Sequence, residues 1–246
     1  MYYNTGFILF QPTTEEVFLM DTKPRRLFVM RHAESLEDID KTAYERIADE
    51  DMPLSTYGRE QAAEFGSRFV SSFGSCQSLR LILSPSKRVL ETAEILVSKL
   101  PTSVKWSLAT ESLITKQNWG NVTIHNRSEI EKERYRTGVL RYQFPGGESG
   151  EEMLFRFDLF SKRLSREMSD LSTDEAVLTI SHGFEMRVVL KSLLGWTEDY
   201  FESLAHPQHC EIKRLAFDRG SFVLLDEMVR YDHSRNPNFI RRQSST

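Results

Sequence analysis

Cysteine is scarce: Cys76 and Cys210 are the only two in 246 residues and stand far apart, so no disulfide framework can be read from them. Neither belongs to a local motif of thiol chemistry, and both read as inert, reduced residues. A long apolar run is also missing, since nothing approaches the roughly 18 residues that a membrane-spanning helix needs. The apolar patch from Phe7 to Phe10 is interrupted by Gln11 and Pro12 and follows no basic stretch, which makes it a poor signal peptide. The expectation is a cytoplasmic protein with no membrane partner. Nor is there a surplus of positive charge: 32 basic against 36 acidic residues leave a net charge of −4, which argues against bulk nucleic-acid binding. No linker rich in Gly, Ser or Pro divides the chain, so it reads as one domain. Its hydrophobic share of 39% suffices for the core of a globular protein.

What is present is a short apolar run that ends on reactive side chains, and it occurs three times. Leu27-Phe28-Val29-Met30 reads as a buried strand and runs into Arg31-His32-Ala33-Glu34-Ser35. Ala176-Val177-Leu178-Thr179-Ile180 runs into Ser181-His182-Gly183 and an apolar helical segment from Phe184 to Leu194. Between them Leu79-Arg80-Leu81-Ile82-Leu83 leads into Ser84-Pro85 and a helix whose first turn carries Arg88, with Pro85 suited to that turn. In an open α/β sheet, ligands bind beyond the carboxyl ends of the strands, so Arg31, His32, Arg88 and His182 should converge there. Two guanidiniums, two imidazoles and a helix N-terminus suit a phosphate.

The rest of the chain supplies the layers. Leu36 to Asp51 is polar and acidic and reads as loop or short irregular helix. Pro53-Leu54-Ser55 opens a helix with Ala62, Phe65, Phe69 and Phe73 at helical spacing, a stripe best read as core. Ser86 to Leu100 repeats the pattern with Leu90, Ala93, Val97 and Leu100, and Glu151 to Met168 does so with Met153, Phe157, Phe160 and Leu164. Val104 to Trp106 reads as a short strand. Glu111 to Arg141 shows no period and reads, with Trp119-Gly120 and Phe144-Pro145-Gly146-Gly147, as an insert of the kind that carries substrate contacts. Ile212 to Phe217 and Phe222 to Leu225 read as strands. Strands alternating with helices predict an α/β three-layer sandwich, a mostly parallel central sheet with helices on both faces.

Four segments in register carry a resemblance: Arg31-His32-Ala33-Glu34-Ser35, Pro53-Leu54-Ser55-Thr56-Tyr57-Gly58-Arg59-Glu60-Gln61-Ala62, Ser84-Pro85-Ser86-Lys87-Arg88 with Glu91-Thr92-Ala93, and Ser181-His182-Gly183. On these the chain resembles the histidine phosphatase superfamily, the phosphoglycerate mutase-like fold, from about Arg26 to Leu225. Phe144-Pro145-Gly146-Gly147-Glu148-Ser149-Gly150, Arg187-Val188 and Cys210-Glu211-Ile212 are similar to its plant and fungal branch of broad-range acid phosphatases and mutase-like proteins. The implied layout is an N-terminal extension over 1–25, the phosphatase-like domain over 26–230 and a polar tail over 231–246. In the tail, Arg241-Arg242-Gln243-Ser244 reads as solvated chain rather than a kinase site.

The resemblance implies a mechanism. Neutral His32 attacks phosphorus to form a phosphohistidine, while Arg31, Arg88 and His182 hold the phosphoryl oxygens, and water then releases phosphate. Ser35, Asp38, Lys116 and Gly183 are the implied substrate contacts. No metal or other cofactor is called for, because the cationic side chains supply the charge. Three positions depart from the family pattern. Ala33 replaces a glycine and is still small. Asp38 stands where an asparagine donor is usual, and Lys116 stands where a glutamate donates the leaving-group proton, an effect worth roughly 10²–10⁴-fold. Glu111 and Glu185 are substitute donors by nearness in sequence, though a surface or helix-face role suits each better. Asp38 and Lys116 are expected to pair across the pocket mouth, which would leave Lys116 unable to serve as an acid.

The leading expectation is a phosphomonoesterase acting on a phosphorylated small molecule or phosphoprotein, and a homodimer is compatible with it. The alternatives are a protein phosphohistidine phosphatase, whose leaving group needs less acid, and a catalytically impaired phosphate-binding or interaction protein. A mutase is least favoured.

Overall fold

The first strand, β1 (Arg25–Arg31), shows how the core is shared. Successive side chains point to opposite faces of a sheet. Accordingly Leu27 and Val29 enter one hydrophobic cluster while Phe28 and Met30 enter another. Both faces of the strand are therefore covered, which is why its sequence is a continuous apolar run rather than an alternation. The computed structural model describes residues 24–73 and 76–231. Most of the expected N-terminal extension and nearly all of the tail, with Arg241 to Ser244, lie outside the described residues.

The other strands are β2 (Ser78–Leu83), β3 (Lys105–Thr110), β4 (Glu175–Ser181), β5 (Ile212–Asp218) and β6 (Ser221–Leu224). They form one sheet in the order β3-β2-β4-β1-β5-β6. The pairs β1·β4, β2·β4 and β2·β3 are parallel, and β5 and β6 add antiparallel at one edge. The mostly parallel α/β sheet expected from the sequence is thus present.

One face is covered by α2 (Thr56–Phe73) and α3 (Lys87–Val97), the other by α5 (Gly150–Asp170) and α6 (Gly183–Leu194). In α5 a capping box sets the start: Glu152 N–H donates to Ser149 Oγ at 3.0 Å and Ser149 N–H donates to Glu152 Oε2 at 2.8 Å. Its stripe of Met153, Phe157, Phe160 and Leu164 is fully buried. In α2, Ala62 and Phe69 are buried as expected, while Phe73 lies outside the described side chains.

Three sequence expectations need adjustment. Pro85 precedes the first helical turn, because Ser86 is the N-cap of α3. The inward face of α3 is Arg88, Val89, Thr92, Ala93 and Leu96, with Leu90 and Val97 only half-buried. The helix is rotated so that Arg88 and Thr92, one turn apart, both point inward. Finally, the insert contains a helix, α4 (Arg127–Thr137), whose only buried residue is Arg134. A helix with no apolar face shows no hydrophobic period. Two short helices, α1 (Leu36–Ile39) and α7 (Glu198–Glu202), complete the set, with 3₁₀ turns at Lys41–Glu45, Asp49–Asp51 and Ser112–Ile114. No helix among the described residues is long and apolar enough to cross a membrane.

Candidate active site

Strand register brings the two histidines together. β1 pairs with β4 so that Arg31 lies opposite Ser181, and His32 N–H donates to Ser181 O at 3.0 Å. The next residue on each strand is a histidine, so the rings meet edge to face with centroids 5.1 Å apart. β2 pairs with β4 one position earlier, Leu83 opposite Ile180, which carries Ser84 and Ser86 to His182: their Oγ atoms lie 3.0 and 3.3 Å from its Nε2.

The hydrogen bonding of His32 defines its tautomer. Nδ1 lies 2.6 Å from Ala33 O, and a carbonyl only accepts, so Nδ1 carries the proton and Nε2 keeps its lone pair. Burial, together with the Arg88 and Arg31 charges, holds the pKa of His32 well below the ordinary imidazole value. Burial and Arg88 do the same to His182. Both rings are therefore neutral at physiological pH.

The loop carrying His32 is braced by the other motifs. Ala33 N–H donates to Thr92 Oγ1 at 3.1 Å, and that hydroxyl donates to Arg88 O at 2.7 Å. Ser55 Oγ donates to Glu34 Oε1 at 2.6 Å, and Glu34 N–H donates to Gln61 Oε1 at 3.0 Å. At Gly58 an added Cβ would sit 1.9 Å from Glu34 O, so the close approach of α2 to this loop requires glycine.

A cavity of about 400 Å³ opens over the histidines and is lined by Arg31, His32, Asp38, Lys116, His182 and Gly183 among others. Six of the eight expected residues thus line it, and Ser35 and Arg88 do not, although the Arg88 charge reaches both histidines. Ser35 is fully buried, and its Oγ donates to Asp38 Oδ2 at 2.7 Å, so its hydroxyl is used inside α1. Arg88 is fully buried behind Asp49. Its Nη1 donates to Asp49 O at 2.5 Å and its Nη2 lies 3.3 Å from each Asp49 carboxylate oxygen.

The expected Asp38–Lys116 pair does not form. Lys116 Nζ instead donates to Asp49 Oδ1 at 2.6 Å and Tyr44 Oη at 2.9 Å, with Glu37 Oε1 at 3.6 Å. Asp38 lies 3.6 Å from Arg31 Nη2 and 3.2 Å from His209 Nε2. Burial opposes its ionisation, yet the hydrogen bonds from His209 and Ser35 hold its carboxyl far below the usual range. Each departure from the family pattern therefore has its own partner, because the irregular segment 40–51 delivers Asp49 to Lys116 and the loop before β5 delivers His209 to Asp38.

Apart from Cys210-Glu211, that loop is absent from the quoted motifs, yet it clamps Arg31. Arg31 Nη1 donates to Pro207 O at 2.8 Å, Nη2 lies 2.6 Å from His209 Nε2, and Cys210 N–H donates to His32 O at 3.3 Å. Burial raises the Cys210 thiol to about 12, which keeps it protonated. Gly183 leaves room for His206, whose Nε2 an added Cβ would meet at 2.3 Å. Of the two carboxylates suggested by nearness in sequence, Glu185 lines the cavity and accepts from Gln117 N–H at 2.7 Å. Glu111 does not line it, and accepts from Leu113 N–H and from Arg163.

Arg-His and Ser-His-Gly are thus presented side by side from adjacent parallel strands of one mostly parallel sheet. The chain belongs to the histidine phosphatase superfamily, branch 1, whose profile matches residues 27–228. It is 30% identical over 205 residues to phosphoglycerate mutase-like protein AT74H of Arabidopsis thaliana, covering 77% of this chain and 73% of that protein. It is 29% identical over 209 residues to protein AT74 of the same organism, covering 80% of this chain and 66% of that one. A mycobacterial glucosyl-3-phosphoglycerate phosphatase solved with VO3 shares the fold at a TM-score of 0.65 and 18% identity, over 83% of this chain and 99% of that chain.

Proposed function

We propose that this protein is a phosphomonoesterase that works through a phosphohistidine on His32. The observation that carries the reading is the His32 tautomer: the bond from Nδ1 to Ala33 O aims proton-free Nε2, on a neutral ring, at the cavity beside Arg31. Nε2 attacks phosphorus, the bond from phosphorus to the ester oxygen breaks, and the leaving group departs with the electron pair. Water then attacks phosphorus, breaks the N–P bond and regenerates His32. Arg31 and His182 hold phosphoryl oxygens throughout, and Arg88 joins them once Asp49 yields. His182 Nδ1 is buried and makes no hydrogen bond to the protein. Asp38, Lys116 and Gly183 line the same cavity and are the contacts proposed for the bound group.

A second reading, protein phosphohistidine phosphatase, is favoured by the bonding of Lys116. Where relatives in this family place an acid, Lys116 is occupied with Asp49 and Tyr44. Leaving groups of low basicity, aryl oxides and imidazole, need that acid least.

The test is acid-labile, base-stable label on protein quenched during turnover of a labelled aryl phosphate. It should appear on wild type and disappear in His32→Ala. Label that persists in His32→Ala would place the nucleophile elsewhere, and vanadate binding without any label would make the chain a phosphate-binding protein. Rates on aryl phosphate, alkyl phosphate and phosphohistidine peptide separate the two enzyme readings.

A further inference from the structure

Glu37 and Ile39, two residues apart on α1, face the wrong way round for a surface helix: Ile39 is 65% exposed and Glu37 only 8%. The turn is held in that orientation from both sides. Ser35 N–H and Oγ donate to Asp38 Oδ2 at 2.9 and 2.7 Å, and Leu36 N–H donates to Pro53 O at 2.9 Å. A buried carboxylate is ordinarily satisfied by hydrogen bonds. Glu37 accepts none. Its Oε1 lies 3.6 Å from Lys116 Nζ and 3.9 Å from Arg88 Nε, and neither carboxylate oxygen is sealed from the cavity that Glu37 lines with His32 and His182.

The other carboxylates nearby are committed elsewhere. Asp38 holds Ser35, Arg31 and His209. Glu131 pairs with Arg127 at 2.9 Å, and Glu185 accepts from Gln117 N–H. Glu202 comes from α7, whose Phe201 packs in the opposite hydrophobic cluster from that of α3 and Arg88. Asp49 touches the same two cations as Glu37, but it does not line this cavity and accepts from Lys116, Arg88 and Tyr44. Glu37 is therefore the carboxylate beside Arg88 with lone pairs open to the histidines. It arrives from the segment after His32, not from position 116, where the family resemblance would place an acid and this chain has lysine.

We propose that Glu37 delivers the leaving-group proton, which makes esters of basic alkyl alcohols substrates. This rests on the phosphomonoesterase reading. The second ionisation of a phosphate monoester lies at about pH 6, so part of the substrate enters as a monoanion that carries a proton. Glu37 takes that proton from the phosphoryl group and gives it to the ester oxygen as His32 Nε2 bonds to phosphorus and the bond from phosphorus to oxygen breaks. The alcohol departs neutral, and Glu37 is again a carboxylate. In the second half it accepts a proton from the water that attacks phosphorus, the N–P electron pair returns to His32, and Glu37 passes the proton to the departing phosphate.

The test is turnover of p-nitrophenyl phosphate and propyl phosphate, with acid-labile label followed on quenched protein. Wild type should hydrolyse both. Glu37→Gln should lose propyl phosphate turnover by roughly 10²-fold or more and lose far less on the aryl ester, whose leaving group needs little acid, while label still forms on His32. Glu37→Asp keeps a carboxyl group and should recover part of the alkyl rate. Equal losses on the two esters in Glu37→Gln, or an alkyl rate that does not fall, would overturn the assignment. Wild type that forms label and cleaves the aryl ester but leaves propyl phosphate untouched would overturn it without any variant, with the phosphohistidine on His32 still standing. No label and no turnover of either ester by wild type would overturn the phosphomonoesterase reading, and this role of Glu37 with it.

Discussion

Asp49 presents the clearest conflict between the structure and the proposed reaction, and replacing it gives a signed outcome. Its carboxylate spans Arg88 Nη2 and Lys116 Nζ, and Tyr44 Oη donates to it at 3.1 Å. Burial opposes ionisation, but Lys116 and Arg88 hold its carboxyl below the ordinary range, so it is a full negative charge resting on the guanidinium proposed to hold phosphate. A phosphoryl group entering beside Arg88 meets that charge. One unit charge about 5 Å from another at an effective dielectric near 20 costs roughly 3 kcal/mol. Asp49 sits on a 3₁₀ turn with its side chain 35% exposed and can swing aside, so about 1–2 kcal/mol is the share expected to survive in binding. Asp49→Asn keeps the size and the backbone carbonyl but removes the charge. Vanadate should bind it roughly tenfold more tightly than wild type, reading that share as affinity. Free Asp49→Asn should be less stable by about 1–2 kcal/mol, because fully buried Arg88 keeps only Glu37, at 3.9 Å from Nε, as a charged partner. Saturating vanadate should close that gap, since the ligand replaces the lost anion. Titration calorimetry and thermal melts with and without vanadate measure both. Weaker vanadate binding, with a melting deficit that widens as vanadate is added, would show that Asp49 orients Arg88 for phosphate and would refute the competition argument.

Acid stability and one glycine supply two more tests. His32, His182 and His206 are all pushed down by burial, His206 to about 3, while each titrates near 6.5 in the unfolded chain. The unfolded state thus binds protons that the folded state refuses, and stability falls as pH drops below about 6.5. The slope is about 1.4 kcal/mol per pH unit for each histidine, or roughly 4 for the three together. Urea midpoints at pH 7.5 and 5.5 check this, and equal midpoints would mean that these rings accept protons in the fold. Gly58→Ala should cost about 1–3 kcal/mol and weaken vanadate binding, because its Cβ would strike Glu34 O and push the His32 loop. A normal affinity in a folded Gly58→Ala protein would show that α2 does not set the position of that loop.

The strands, the helices and the pairing of Arg31-His32 with Ser181-His182 were legible in the sequence because each is a local pattern. A buried parallel strand is a continuous apolar run, an amphipathic helix repeats its apolar residues, and a strand end marks where a site lies. Helix α4 escaped because its one inward residue is Arg134, and hydrophobic periodicity cannot register a buried guanidinium. The partners of the unusual residues escaped for a different reason. The resemblance implies that Lys116 stands where an acid is usual, but nothing local says that its anion comes from Asp49, 67 residues earlier, rather than from Asp38. The same holds for His209 beside Arg31, at a separation of 178 residues. Composition and spacing determined the sheet, its layers and the paired histidines. Tertiary structure alone decided which charge meets which, because ion pairs in irregular loops follow from where the fold lays those loops and leave no period in the chain.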